Sequence, residues 1–354
     1  MFFAVFKDGE GCKSYIVANE DCCAAAIIDP ALDLVDRYLG EVNRQGLRVR
    51  YIIDTHTHAD HFSGARALRE VLRAPIVMHR FSPAPHVDLH VENGHLLALG
   101  NMRLHILHTP GHTRDSMCIH VEDRLFTGDT LLIGGTGRSD LPGGDPAQLH
   151  DSLFQKILRL PDDTLVFPAH DYKGREGSSI GQERASNPRL AKRDLPEFVT
   201  MMNSLNLSAP THLTEALRTN MSGGKTVRQM LQEASASIPF MGMNELRLRL
   251  DSRSNDFVIL DVREKDAFAA GHVPGAIHLP RGQLELRVDE AFPDPDVEIL
   301  TVCEFGKIST LAAATLRELG FLRATALDGG MAAWRKEGFP IEGAVPVQDG
   351  TTRG

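Results

Sequence analysis

At 354 residues the chain is long enough for two domains, and 42% hydrophobic with 24% charged residues is the balance of an ordinary globular protein with sizeable cores. A formal net charge of −9 and the lack of any basic stripe speak against nucleic acid or an anionic membrane as a partner. No apolar run nears the roughly 18 residues that a membrane-spanning helix needs.

The opening "MFFAVFKDGEG" has no basic leader and only a short apolar run, so it reads as an edge strand rather than a signal peptide. The five cysteines (Cys12, Cys22, Cys23, Cys118 and Cys303) are odd in number and irregularly spaced, which does not suggest a disulfide framework. They are expected to be reduced, in a cytoplasmic protein, and most to be small core residues. The sequence leaves the oligomeric state open, and a homo-oligomer is compatible with it.

In chain order, "SYIVA", "AAAIIDP" and "VRYIIDTHTHADH" read as strands, and "FSGARALREVLRA" carries apolar residues at helical spacing. "APIVMH" and "RLHILHTPGHT" are strands again, and "SMCIHVEDRLFTGDTLL" is a hairpin through Glu122 and Asp123. "DPAQLHDSLFQKILRL" predicts an amphipathic helix opened by Asp145 and Pro146. "DTLVFPAHDY" is a further strand that ends in a polar loop. Helical segments then run from Leu190 to Ile238, and regular periodicity fades over Ser235–Met243. A domain boundary is expected there: 1–238, 239–345, and a tail over 346–354. Beyond it strands and helices alternate through "FVILDVRE", "EILTVC" and "STLAAATLRELG", which predicts a parallel sheet covered on both faces.

Residues 54–61 read DTHTHADH, three histidines and two aspartates in eight positions. Crowding these groups at one strand end is unfavourable unless a metal ion pairs them. His56, His58, Asp60 and His61 are joined further on by His112 in "TPGHT", Asp129 in "FTGDT" and His170 in "FPAHDY". Each falls at a predicted strand end or in the next loop, where rigid strands support sites. Imidazole and carboxylate donors suit zinc, iron or manganese. His79, His86, His90, His95, His105, His108 and His120 read as scattered polar residues.

These motifs, in this order, resemble the metallo-β-lactamase superfamily over residues 1–238. The resemblance implies an αβ/βα sandwich with metal at one edge. In dizinc members such as glyoxalase II, it would put His56, His58 and His112 on one Zn(2+) and Asp60, His61 and His170 on the other, with Asp129 bridging. "GDTLLIGGTGRSDLPGGDPAQLHDSLFQKIL" and "PAHDYKGREGSSIGQERASNPRL" are similar to the persulfide dioxygenase branch. That resemblance implies one Fe(2+) on His56, His112 and Asp129, with His58, Asp60, His61 and His170 around it. Spacing alone does not separate one iron from two zincs. The branch's substrates are glutathione persulfide and O2. Cations should therefore hold the glutathione carboxylates: Arg138, Lys173 and Arg189 are candidates, with Tyr172 as a donor. Each of these cations could equally be a solvated surface charge, and Arg138 could pair internally with Asp140.

"VILDVREKDAFAAGHVPGAIHLP", "LTVCEFGKIST" and "LDGGMAAWRKEGFPI" resemble a rhodanese sulfurtransferase domain over residues 240–342. Cys303 ends a buried-strand pattern, and Ser309 or Thr310 could cap the helix that follows. The helix dipole and the N–H groups of the loop Glu304, Phe305, Gly306, Lys307, Ile308 and Ser309 would favour a nucleophilic thiolate. Glu304 departs from the cationic loops that act on thiosulfate and would repel that dianion. The expected function is therefore a fusion. One domain transfers sulfane sulfur from a donor to glutathione through a Cys303 persulfide, and the other oxidises glutathione persulfide. The alternatives are a dizinc glyoxalase II-like thioester hydrolase and, for the second domain, a non-catalytic binding module.

Overall fold

A computed structural model describes residues 1–9, 11–171, 173–208, 213–252 and 257–343. The chain divides into two compact units between Gly224 and Lys225. Among the described residues no helix is long and apolar enough to cross a membrane.

The first unit is built on two six-stranded sheets. One contains β1 (Phe2–Lys7), β2 (Lys13–Asn19), β3 (Ala24–Ile28), β4 (Arg48–Ile53), β5 (Ile76–His79) and β6 (Leu89–Val91). β1 to β3 run antiparallel, and β3 to β6 are parallel neighbours. The other contains β7 (Leu96–Leu99), β8 (Met102–His108), β9 (Met117–Val121), β10 (Arg124–Gly128), β11 (Leu165–Pro168) and β12 (Ser178–Ser179). The β9–β10 hairpin turns at Glu122 with φ 51°, a left-handed residue suited to a two-residue turn.

Period-two alternation in β8 (Met102, Leu104 and Ile106 inward) makes one apolar face per strand. The inner faces of the two sheets share a core in which Val17, Ile28, Ile53 and Val77 meet Leu104, Ile106, Ile119 and Phe126. Outside the first sheet lie α1 (Val35–Arg44) and α2 (Ala65–Leu72), packed through Tyr38 and Leu68. Outside the second lie α3 (Pro146–Asp151), α4 (Ile180–Ser186) and α5 (Leu195–Asn203), with Leu149, Ile180 and Phe198 buried. This is the αβ/βα sandwich that the resemblance implied. The single helix expected from Asp145 starts as read, with Asp145 accepting from the N–H groups of Ala147 and Gln148. It then passes through a π turn over Ser152–Lys156 and a 3-10 turn over Ile157–Arg159. α6 (Leu213–Ser222) closes the unit.

The second unit holds a five-stranded, all-parallel sheet ordered β13 (Phe240–Met241), β17 (Thr325–Leu327), β16 (Glu298–Val302), β14 (Phe257–Asp261) and β15 (Ile277–His278). Both faces are covered, as the continuous apolar runs required. Its helices are α7 (Val227–Ser237), α8 (Met243–Asp251), α9 (Lys265–Ala269), α10 (Leu284–Ala291), α11 (Lys307–Glu318) and α12 (Gly330–Lys336). The division falls one helix before the boundary read from pattern. α7 packs against α11, and Ile238 at its end joins the core beneath that helix.

At one edge of the sandwich the two sheets are tied by backbone and by one phenol. The Lys13 N–H donates to the Ala169 carbonyl at 2.7 Å and the Asp171 N–H to Gly11 at 3.0 Å. The Tyr15 hydroxyl on β2 donates to the Pro168 carbonyl on β11 at 2.5 Å. Burial pushes that phenol well above its usual range, so it stays a donor. Tyr15→Phe is expected to remove about 1 kcal/mol. That lowers the melting temperature of the first unit by about 2–4 °C, measurable by calorimetry against the parent chain.

Candidate metal centre and sulfur-transfer loop

Every candidate ligand of the first unit follows a strand at this edge. β4 ends at Ile53 and delivers the run from Asp54 to His61. Asp29, just past β3, holds that run. It accepts from the Thr55 N–H at 2.7 Å and from the Thr55 hydroxyl at 3.0 Å. β9 enters by donating the Met117 N–H to the Thr55 carbonyl at 2.9 Å. Gly128 ends β10 at φ 49°, and a Cβ there would lie 2.5 Å from the Thr55 hydroxyl, so only glycine lets β10 approach the histidine run.

The hydrogen bonds decide which nitrogens are bare. The Thr55 hydroxyl donates to Asp29, so in its 3.0 Å contact with His56 it accepts from Nδ1–H. Nε2 of His56 is buried with no partner. His112 donates Nδ1–H to the Arg138 carbonyl at 2.7 Å, which leaves its Nε2 bare, 3.6 Å from Asp129 Oδ2. Burial, with His58 and His112 nearby, holds His56 far below the usual imidazole range and keeps it neutral. Burial alone would raise the Asp129 carboxyl, but His170 and the other imidazoles hold it well below its usual value. His56, His112 and Asp129 each offer a donor atom within 4.8 Å of the others. Two bare imidazole nitrogens and an ionised carboxylate, each anchored from behind, fit a metal ion.

The other expected ligands are placed differently. His58 donates Nε2–H toward Asp29 at 3.3 Å and groups with Asp29 and Asp54; its Nδ1 is buried and unpartnered. Burial pushes the Asp54 carboxyl behind it up to about 6. His170 lies between two carboxylates, with Nδ1 2.6 Å from Asp129 Oδ1 and Nε2 2.7 Å from Asp60 Oδ2. Burial opposes its protonation, but Asp129 and Asp60 outweigh that and hold the ring as imidazolium. Asp60 also accepts from His61 Nδ1 at 3.0 Å and from the Cys12 thiol at 3.3 Å.

A cavity of about 600 Å³ opens over Asp129, His112 and Asp60. Arg138 lines it, but its guanidinium is committed: both of its 2.7 Å bonds to Asp140 are internal, and a third, also 2.7 Å, goes to the Ser208 carbonyl. This is the internal pair with Asp140 that the sequence offered beside a grip on substrate. Arg189 is half-buried on the cavity wall, with one nitrogen 3.4 Å from the Met202 sulfur. Burial lowers its pKa, and among the described residues no carboxylate offsets that. Lys173 is exposed at the rim. Tyr172 lies outside the described residues.

Several supporting residues were not read from sequence. Lys13, 2% exposed, donates Nζ–H to the carbonyls of Arg175 (2.6 Å) and Glu176 (3.0 Å) and pins the loop after His170. Asn220 on α6 donates to the carbonyls of His58 and His61, both at 2.9 Å, and accepts from the Ser63 N–H at 3.1 Å. Asp29 had a signal, a carboxylate in "IIDP" at a strand end. Asn220 had none, since nothing in its own segment points to a loop so far away in sequence.

In the second unit Cys303 follows β16 and is 1% exposed, with Sγ 3.3 Å from the Ser309 hydroxyl. The helix starts earlier than expected. Gly306 at φ 81° is the cap of α11, and the hydroxyls of Ser309 and Thr310 both donate to its carbonyl, at 2.9 and 2.8 Å. The carbonyls of Cys303 and Glu304 accept from the N–H groups of Met331 and Ala332 at the start of α12. Gly330, at φ 63°, is required there because a Cβ would lie 2.5 Å from the Cys303 carbonyl oxygen.

Residues 8–170 match the metallo-beta-lactamase superfamily and residues 243–337 the rhodanese-like domain. A human mitochondrial persulfide dioxygenase, ETHE1, is 38% identical over 214 residues, which is 60% of this chain and 84% of that one. The crystal structure of ETHE1 from Myxococcus xanthus is 40% identical with a TM-score of 0.62, over 64% of this chain and all of that one. A metallo-beta-lactamase structure from Staphylococcus aureus is 25% identical with a TM-score of 0.59, over 93% of this chain and 98% of that one.

Asn220→Ala strips donors from two carbonyls of the metal loop. It is expected to weaken metal binding by about 10–100-fold, the range found for residues that orient ligands. Competition with a chromophoric chelator measures this.

Proposed function

Because the chain belongs to the persulfide dioxygenase branch of the metallo-β-lactamase superfamily and carries a rhodanese-like domain, we propose that it is a bifunctional enzyme of sulfane-sulfur metabolism. The first unit oxidises glutathione persulfide with O2 and water to sulfite and glutathione. The second passes sulfane sulfur through Cys303 to glutathione, which makes the product of one site the substrate of the other.

One observation carries the first half. His56 and His112 turn bare nitrogens toward Asp129, while both nitrogens of His170 are taken by carboxylates. Together with the likeness to persulfide dioxygenases, this supports a single iron(II) on His56, His112 and Asp129, which would activate dioxygen for reaction with the persulfide sulfur. Nδ1 of His58 and Nε2 of His61 are also buried without a partner, and Cys12, Asp60, His61 and His170 offer donor atoms within 4.8 Å of one another, so metal content is what separates this reading from the dizinc thioester hydrolase. The chain's own residues do the rest. His170 fixes the Asp129 carboxylate, Thr55 and the Arg138 carbonyl fix the two imidazoles, and Asp60 holds His170. Arg189 and Lys173 face the cavity with charge available for the glutathione carboxylates.

Iron content and oxygen uptake with glutathione persulfide test this on the iron-reconstituted full chain. His112→Ala and Asp129→Ala should lose both, and His58→Ala should keep most of its iron. Loss of metal from His58→Ala as complete as from His112→Ala would make the dizinc arrangement the better description. Arg189→Gln should raise KM for glutathione persulfide roughly ten- to hundred-fold, the equivalent of one charge-assisted hydrogen bond, with iron content unchanged. Lys173→Gln should act the same way but more weakly, because it is exposed. Steady-state oxygen-electrode kinetics separate KM from kcat.

A further inference from the structure

The acid beside Cys303 is not a bare charge. Glu304 Oε2 lies 3.1 Å from the Arg263 guanidinium, and Oε1 pairs with Arg335. Arg263 is itself held by Asp261 at 2.7 Å and by the Gly271 carbonyl at 2.8 Å. Two carboxylates and two guanidiniums therefore cancel one residue from the nucleophile. The loop around them exposes two large hydrophobic side chains, Phe305 (70%) and Ile308 (49%), with the exposed Lys307 as its one basic side chain.

Sulfane transfer to Cys303 needs no oxidant. The thiolate attacks the outer sulfur of the donor, a new S–S bond forms on Cys303, and the old one breaks with its electron pair leaving on the carrier. From an organic persulfide the leaving group is a thiolate with a carbon body, which those hydrophobic side chains can accept. From thiosulfate it is sulfite, a dianion that arrives and departs with its charge on oxygens and calls for unpaired cations. The two arginines beside Glu304 are already answered, Arg335 by Glu304 and Arg263 by Asp261 and Glu304 together.

We propose that Glu304 sets the donor class at Cys303: by occupying Arg335, and by sharing Arg263 with Asp261, it leaves neither guanidinium for a dianion, so the site takes sulfane sulfur from organic persulfides and discriminates against thiosulfate. This rests on Cys303 being the sulfur-transfer nucleophile. The repulsion expected from the sequence becomes a different device, since removing the acid does more than delete a negative charge. It also frees Arg335, while Arg263 stays paired with Asp261.

The test is run on the full chain without oxygen, so that the dioxygenase reaction is idle. Cyanide is the acceptor, thiocyanate is the readout, and the Cys303→Ser rate is subtracted as background. The measured quantity is kcat/KM for thiosulfate divided by kcat/KM for glutathione persulfide. It should be well below one in the parent chain. In Glu304→Gln it should rise about ten-fold or more, the smaller end of what a local field does to an anionic substrate. It should fall back in Glu304→Gln/Arg335→Gln, and the gain should shrink with added salt. Glu304→Asp, whose shorter carboxylate cannot span both arginines, should show a smaller rise and carries the test if the glutamine variant does not fold. An unchanged ratio in Glu304→Gln, or a gain that survives in the double variant, overturns the proposal. So does a parent chain that uses both donors equally, and in that case sulfur transfer itself still stands. Turnover of neither donor above the Cys303→Ser background removes the sulfurtransferase reading and the proposal together.

Discussion

Two imidazole nitrogens, each with its ring proton committed on the opposite side, face one carboxylate at the buried edge of a sandwich. That arrangement is unfavourable on its own, because lone pairs and negative charge converge at the largely buried floor of a cavity. Much of the first unit can be understood as what holds it in place. Strands end at the same edge, Asp29 and Asn220 grip the histidine run from two sides, and Tyr15 ties the sheets beside His170. The imidazolium of His170 serves the same end by orienting Asp129 and balancing part of the negative charge.

The candidate ligands were legible as a group because chemistry concentrates them. An H-x-H-x-D-H run has few structural uses, and the strand periodicity on either side of it was plain. The sheets of both units were legible for the same reason, through alternation in one and continuous apolar runs in the other. What escaped was support that comes from far along the chain. Lys13 reads as an ordinary cation at a strand start, yet it is buried with its ammonium capped by two carbonyls from residues 175 and 176. Arg138 was legible as a partner of Asp140, but its bond to the Ser208 carbonyl, seventy residues on, was not. The start of α11 was misread because Ser309 looks like a cap. The left-handed glycine at 306 takes that position, and the serine turns toward the cysteine instead.

The two units handle charge in opposite ways. The first collects carboxylates around imidazoles, so a cation is the natural completion. The second matches each carboxylate with a guanidinium next to Cys303 and exposes apolar side chains around the result.

Asn220 also sets an order in time. All seven candidate ligands have left the ribosome once His170 has, and so has the whole segment that matches the superfamily. The side chain that ties the carbonyls of His58 and His61 together arrives only with α6, 162 residues after His58. A nascent chain that stops at the end of the matched segment therefore carries every ligand and lacks the part that fixes their loop. The last contacts of that loop are therefore made only when the last helix of the unit is available, after the strands that carry the candidate ligands.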